Sequence, residues 1–362
     1  IKEYLPRFTD NKAVFDTNFY AEEFVEHYIP KDLYNFKVCT DGYRLIRVNV
    51  GMTYGSTPTY YAGTDYDYHV WNAVEDYSNW PTYSQANYVY TNAAPFVYLN
   101  NGVAESGYKV HRGTTYADKS LYLYVLATVS NTLETLRIKT YDSGGTLLGT
   151  SNIANVYYND ATYSNKYFCI DVGYKGLSQI PSGDVTGTYP IITSSVAYYE
   201  LFDVNTSAGT PPAGTVEPIQ RIDILCEAKC DVFTLHYLNS KGAFSTCHFP
   251  KVSTDNRTTT KSTYKKTPYE LNASNVYTYS PSTPQEIVLN STTQKKLTLQ
   301  TDWLTYEEID RHAEIVDAPV CYLDMGSTIG LVPVTVETNS YVVLNEWNTG
   351  NPYFSITVRY GY

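Results

Sequence analysis

The chain has 362 residues, a formal net charge of −11, 43% hydrophobic residues and only 17% charged ones. That length accommodates roughly two or three domains, and no apolar run approaches the roughly 20 residues of a membrane span. The acidic balance excludes a general nucleic-acid binder, which needs a basic face. Tyrosine dominates the aromatic content, 39 residues against 12 Phe. A phenol joins an apolar ring to a polar tip, which suits positions buried at one end and wet or partnered at the other. The excess points to sheet surfaces and subunit interfaces; the plainer alternative is half-buried strand positions.

In chain order, Tyr20–Tyr28 sets Phe24, Val25 and Tyr28 near one face of a short helix. Period-2 alternation then takes over. It predicts strands at Tyr43–Val50, Ser120–Val129, Leu136–Tyr141, Tyr167–Val172, Val196–Val204, Arg221–Glu227, Val232–Leu238 and Tyr353–Tyr360. Asn100-Asn101-Gly102, Asp142-Ser143-Gly144-Gly145 and Asn239-Ser240-Lys241-Gly242 read as turns, because glycine takes the positive φ that tight turns require. Asn205–Pro218, rich in small and turn-forming residues, is either an exposed hairpin loop or a linker, and the flanking strands favour the loop.

Asn256–Thr267 places Arg257, Lys261, Lys265 and Lys266 among threonines and reads as an exposed arm, a flexible hairpin able to order against a neighbouring subunit. Residues 251–300 hold seven Lys or Arg against three Asp or Glu, a net +4 that leaves −15 for the rest. An acidic body with one basic stretch suits head-to-tail contact between identical subunits; the alternative is a solvated basic loop.

Thr305 and Glu308 have the spacing of a capping box, with Leu304 and Ile309 placed as a hydrophobic staple. Ile309, Ala313 and Val316 recur at helical spacing, and Pro319 ends the helix. Strand-like segments follow at Val320–Asp324, Leu331–Thr338, Tyr341–Leu344 and Tyr353–Tyr360. The expected fold is mainly β: an N-terminal β domain at 1–115, a Tyr-rich β-sandwich at 116–229, and a C-terminal α+β assembly domain at 230–362 with one packed helix.

No residue pattern specifies a reaction. The GxSxG, GxxxxGK[ST] and GxGxxG motifs are missing, and His27, His69, His111, His236 and His248 are scattered among Tyr-rich strands. Asp65 and Asp67 have the alternate spacing of a calcium loop without its remaining ligands, and a turn with acidic tips is the plainer reading. With Glu75 and Asp76 they form the one carboxylate cluster worth testing for glycoside hydrolysis. Glu308 and His312 lie one helical turn apart but make no HExxH motif.

Cys39, Cys169 and Cys321 sit in apolar runs as small buried hydrophobes. Cys226, Cys230, Cys247 and His248 are thiols, a disulfide or zinc ligands, with buried thiols favoured because strand neighbours point to opposite faces. No catalytic residue, metal or cofactor is assigned. The aromatic stretch from Tyr54 to Tyr90, with Tyr60, Tyr61, Tyr66, Tyr68, Trp71 and Trp80, is a candidate receptor or partner surface. Lys261, Lys265, Lys266, Tyr353, Phe354 and Tyr360 are the candidate assembly contacts, with Tyr353–Tyr360 as an edge strand.

Several stretches, taken in order, resemble structural proteins of tailed-bacteriophage virions. They are Asn11-Lys12-Ala13-Val14-Phe15-Asp16; Tyr43–Val50 with Gly51 and the loop Tyr54-Gly55-Ser56-Thr57-Pro58; and Val70-Trp71-Asn72-Ala73-Val74-Glu75-Asp76-Tyr77. Two more are Leu235–Phe244 and the Trp303–Val316 helix with the strands that close the chain. Lys241-Gly242-Ala243 departs from the pattern by lacking a second glycine, and Gly51-Met52-Thr53 by lacking an acidic pair. The resemblance implies a non-enzymatic subunit of the tail, baseplate or neck. Its C-terminal domain would be tail-tube-like and join a ring, and its partners would be copies of itself and other virion proteins. The alternative is a glycan-binding or adhesin module of a cell or virion surface.

Overall fold

A computed structural model describes residues 7–9, 12–14, 29, 35–39, 43–54, 59–71, 96–98, 112–127, 134–157, 167–204, 218–225, 231–240, 242–251, 253–267, 269–279, 282, 284–304, 306–326, 329–338 and 353–361. The protein is mainly β. It divides into two compact units, residues 1–228 with 236–247, and residues 229–235 with 248–362. No helix among the described residues is long and apolar enough to cross a membrane.

The first unit contains a six-stranded sheet in the order Val185–Gly187, Leu147–Ala154, Thr135–Tyr141, Tyr198–Val204, Gln220–Leu225, Arg112–Tyr116. The last pairing is parallel and the others antiparallel. Alternation decides which side is buried. Along Thr135–Tyr141 the residues Leu136, Ile138 and Thr140 are buried, while Arg137 and Lys139 are half-buried on the other face. The register carries this across the sheet: Ile138 stands opposite Ser151 and Leu201, and Tyr199 opposite Thr140 and Ile222, all buried. On the opposite face, Tyr141 and Tyr198 stack with centroids 4.8 Å apart, and the Arg221 guanidinium lies 3.7 Å from the Tyr198 centroid.

The turns follow from their residues. Between Thr135–Tyr141 and Leu147–Ala154, the Asp142 carboxylate accepts the amides of Gly144 (2.9 Å) and Thr146 (2.7 Å). Those bonds, Thr146 foremost, hold its carboxyl below the usual range. Gly145 sits at φ 82°, where a Cβ would be strained. Tyr198–Val204 and Gln220–Leu225 pair antiparallel; most of the segment expected as a loop between them, residues 205–217, lies outside the described residues. An expected boundary after residue 115 falls inside the Arg112–Tyr116 strand, which pairs with Gln220–Leu225.

A four-stranded sheet has the order Lys37–Val38, Tyr167–Asp171, Tyr122–Ala127, Phe96–Tyr98. Every residue of Tyr167–Asp171 is buried, so this strand is covered on both faces. Here the tyrosines do core work. Tyr124 and Tyr167 stack at 5.3 Å, and the Tyr167 phenol donates to the Gly242 carbonyl at 2.7 Å. Tyr199, in the six-stranded sheet, donates to the Val172 carbonyl at 2.6 Å, just past the Tyr167–Asp171 strand. The expectation that tyrosine marks surfaces and interfaces is therefore corrected for these positions: a phenol fills the interior and satisfies a backbone acceptor that Phe would leave unpaired.

A six-residue helix, α1 (Tyr174–Gln179), follows this strand and was not expected. Asp171 prepares it, accepting the amides of Leu121 and Gly173, each at 2.9 Å. Gly176 is required because a Cβ there would overlap the Asp171 carbonyl. Two further antiparallel pairs of the first unit are Arg7–Thr9 with Lys12–Val14 and Tyr43–Tyr54 with Thr59–Trp71.

In the second unit a sheet carries the strand order Cys321–Asp324, Leu331–Val336, Ser355–Tyr360, Glu286–Gln300, Thr254–Lys265. Leu297, Leu299, Leu323, Val332, Val334, Ile356 and Val358 supply its buried positions in the second unit. Helix α2 (Tyr306–Asp317) forms where the sequence places it. It buries Ile309, Ala313 and Ile315, whereas Val316, expected on the apolar face, is half-buried.

Candidate assembly surface

The Glu286–Gln300 strand is 15 residues long, yet only Lys296–Gln300 pairs with Ser355–Tyr360. The preceding residues continue beyond the sheet, paired solely with Thr254–Lys265 among the described residues. Sequence explains both halves. Leu297 and Leu299 alternate with half-buried polar residues and anchor the base. The stretch 288–295 carries no such alternation, and every residue in it is exposed. All 12 residues of Thr254–Lys265 are exposed. Nine residues, 257–265, project as a two-stranded ribbon about 30 Å long at the usual rise per residue.

Threonine keeps the ribbon extended. Its branched Cβ favours the pleated backbone, and hydroxyls pair across the strands. Thr259 Oγ1 and Thr293 Oγ1 lie 3.1 Å apart, and Thr263 donates to Glu286 Oε1 at 2.6 Å. At the base, Glu337 takes Lys296 at 2.6 Å and Arg359 at 3.2 Å. A register shift follows Ser262: Ser262 faces Asn290 while Thr263 faces Val288, leaving Leu289 as the extra residue of a bulge.

Beyond the ribbon, Tyr269–Leu271 pairs with Tyr277–Tyr279. Asn272 Oδ1 accepts the amides of Ser274 (2.9 Å) and Val276 (3.0 Å), and Asn275 takes φ 59° to close the turn. Tyr269 and Tyr279 face each other with centroids 6.2 Å apart. This end is apolar without being buried: Leu289 is 73% exposed and Tyr277 70%, with Tyr264, Tyr269, Val276, Tyr279 and Val288 also exposed. It is also basic. Residues 256–296 hold six Lys or Arg against two Asp or Glu.

Of the predicted assembly residues, Lys261, Lys265 and Lys266 lie exposed on or beside the ribbon. Tyr353 is exposed near the sheet. The expectation that Tyr353–Tyr360, with Phe354 and Tyr360, is an edge strand is corrected. Ser355–Tyr360 is an interior strand, hydrogen-bonded to Leu331–Val336 on one side and Glu286–Gln300 on the other, so it has no free edge. Phe354 is 2% exposed, and its backbone pairs with Thr301. Sheet order is set by non-local pairing, which a local apolar alternation does not encode. Sequence reasoning recognised 256–267 as an exposed basic arm but missed its long partner strand, whose Thr and Lys content carried the signal.

The predicted receptor aromatics lie along one hairpin strand. Tyr60 stands opposite Thr53, Tyr61 opposite Met52, Tyr66 opposite Val48, Tyr68 opposite Ile46 and Trp71 opposite Tyr43. Trp80, Glu75 and Asp76 lie outside the described residues. Asp65 and Asp67 fall within that strand, opposite Asn49 and Arg47, rather than on a turn: the Asp/Tyr alternation is a strand pattern. Cys247 is a buried thiol, His248 Nδ1 lies 3.0 Å from Thr234 Oγ1, and Cys226 and Cys230 lie outside the described residues. Among the described residues no three His, Cys, Asp or Glu side chains gather as a metal site.

Fold and site thus define a mainly β protein that carries a basic, apolar-tipped ribbon. No protein-family model matches the sequence, and no curated protein matches it.

Proposed function

We propose that this chain is a non-enzymatic structural subunit of a tailed-phage virion, in the tail, baseplate or neck, and that it assembles with copies of itself into a ring. In this reading the sheets of the first unit make a β-sandwich, the second unit is the tail-tube-like assembly domain, and the ribbon reaches from one subunit onto the next. The observation that carries it is the ribbon. Its backbone edges are unpaired among the described residues, it buries no apolar side chain between Thr254 and Lys265, and it ends in exposed Tyr, Val and Leu. Ordered structure of that kind is stabilised when a partner strand or surface covers it. The charge supports a second copy as that partner, since a basic ribbon meets a body that is otherwise acidic.

Negative-stain imaging of the full chain, with a glycan array on the same preparation, tests this reading. Closed rings without sugar binding are expected. Saturable sugar binding by a monomer would overturn the proposal and establish the adhesin alternative.

A further inference from the structure

Cys39 and Cys169 lie 130 residues apart in sequence, yet their sulfurs are 2.9 Å from each other. The strand pairing puts them there. Cys169 stands opposite Lys37 in the four-stranded sheet, and the Cys39 amide continues the ladder by donating to the Tyr167 carbonyl at 2.7 Å. The sulfurs need approach by only about 0.9 Å to reach the bonded separation of about 2.05 Å. Both residues are buried, at 1% and 0% exposure, beside the stacked Tyr124 and Tyr167.

From this geometry we infer that Cys39 and Cys169 are the two halves of a disulfide that locks residues 36–39 onto the neighbouring interior strand, Tyr167–Asp171, of the four-stranded sheet. Lys37–Val38 is a two-residue edge strand held by few backbone bonds, with Phe36 buried behind it. A bond across 130 residues removes much of the freedom of the unfolded chain.

A small-molecule disulfide is the oxidant. One protein thiolate attacks a sulfur of oxidised glutathione, and a glutathione thiolate leaves. The second protein thiolate then attacks the protein-bound sulfur of that mixed disulfide and expels the other glutathione. Two protein thiols are oxidised, one small disulfide is reduced to two thiols, and the two protein protons pass to the leaving thiolates. Burial pushes the Cys39 thiol well above its ordinary value. The exchange therefore proceeds during folding or when the short edge strand opens, and the finished bond is shielded from reductant.

The test uses the full chain, incubated with oxidised glutathione in mild denaturant, returned to buffer, then denatured and alkylated without reductant. Tryptic mapping should find Val38–Arg44 joined to Tyr167–Lys175, two hydrogens lighter than the separate peptides, and reduction should separate them. Thermal unfolding of the oxidised wild type should be shifted upward relative to the reduced form. A Cys39→Ala/Cys169→Ala double variant should show no such shift. Alkylation of both Cys39 and Cys169 after oxidation, or linkage of either to another cysteine, overturns the inference without touching the ribbon.

Discussion

Thr259 and Thr293 face each other across the projecting ribbon with their hydroxyls 3.1 Å apart, and neither side chain is buried. The pair holds the ribbon extended without contributing to a core. Stability of the body and association through the ribbon are therefore separable.

Leu289→Ser and Tyr277→Ser should weaken self-association at least tenfold in sedimentation equilibrium, because exposed aromatic and aliphatic anchors supply most of the energy of an interface. Thermal stability of the isolated subunit should change by less than about 0.5 kcal/mol, as for other surface positions.

Lys261→Glu combined with Lys265→Glu should abolish association in low salt. Raising salt from about 0.1 M to about 1 M should weaken the wild-type assembly, since the screening length falls from about 10 Å to about 3 Å. Sedimentation velocity across a salt series reads both effects.

Asp171 gives the body a pH signature. Burial raises its carboxyl from 3.8 to about 6, against the opposing bonds from Leu121, Ser120 and Gly173. The folded state binds this proton more tightly than the unfolded chain does. The stabilisation from this group is complete below about pH 4 and is lost as pH rises through about 6. Asp171→Asn should flatten that component of the stability profile. Asp171→Ala, which leaves the buried Gly173 amide and the part-buried Leu121 amide without their acceptor, should cost roughly 2–4 kcal/mol in denaturant unfolding.

Tyr167→Phe and Tyr199→Phe should each destabilise the protein by about 1–2 kcal/mol, because each strands a backbone carbonyl in the interior, Gly242 and Val172 respectively. Urea midpoints with unchanged slopes would show that the loss is local.

Strands that alternate were legible in the sequence: Thr135–Tyr141 and Tyr198–Val204 announce a buried face by their own pattern. So was α2, whose Ile309 and Ala313 recur at helical spacing. α1 was not, because six residues with a central glycine carry no helical period; its cause is tertiary, in the Asp171 bonds. The interior place of Ser355–Tyr360 was equally hidden, since the strands that flank it come from 331–336 and 286–300. Composition identified the ribbon as exposed and basic. Its partner strand, Glu286–Gln300, stayed unseen because no apolar alternation marks residues 288–295, all of them exposed.

The most direct measurement compares the solution mass of the full chain with that of a variant in which residues 257–295 are replaced by a short Gly-containing turn. The account predicts that the full chain sediments as a closed oligomer while the trimmed chain remains a monomer with an unchanged unfolding temperature. A full chain that stays monomeric at every concentration, or a trimmed chain that assembles as before, would contradict it.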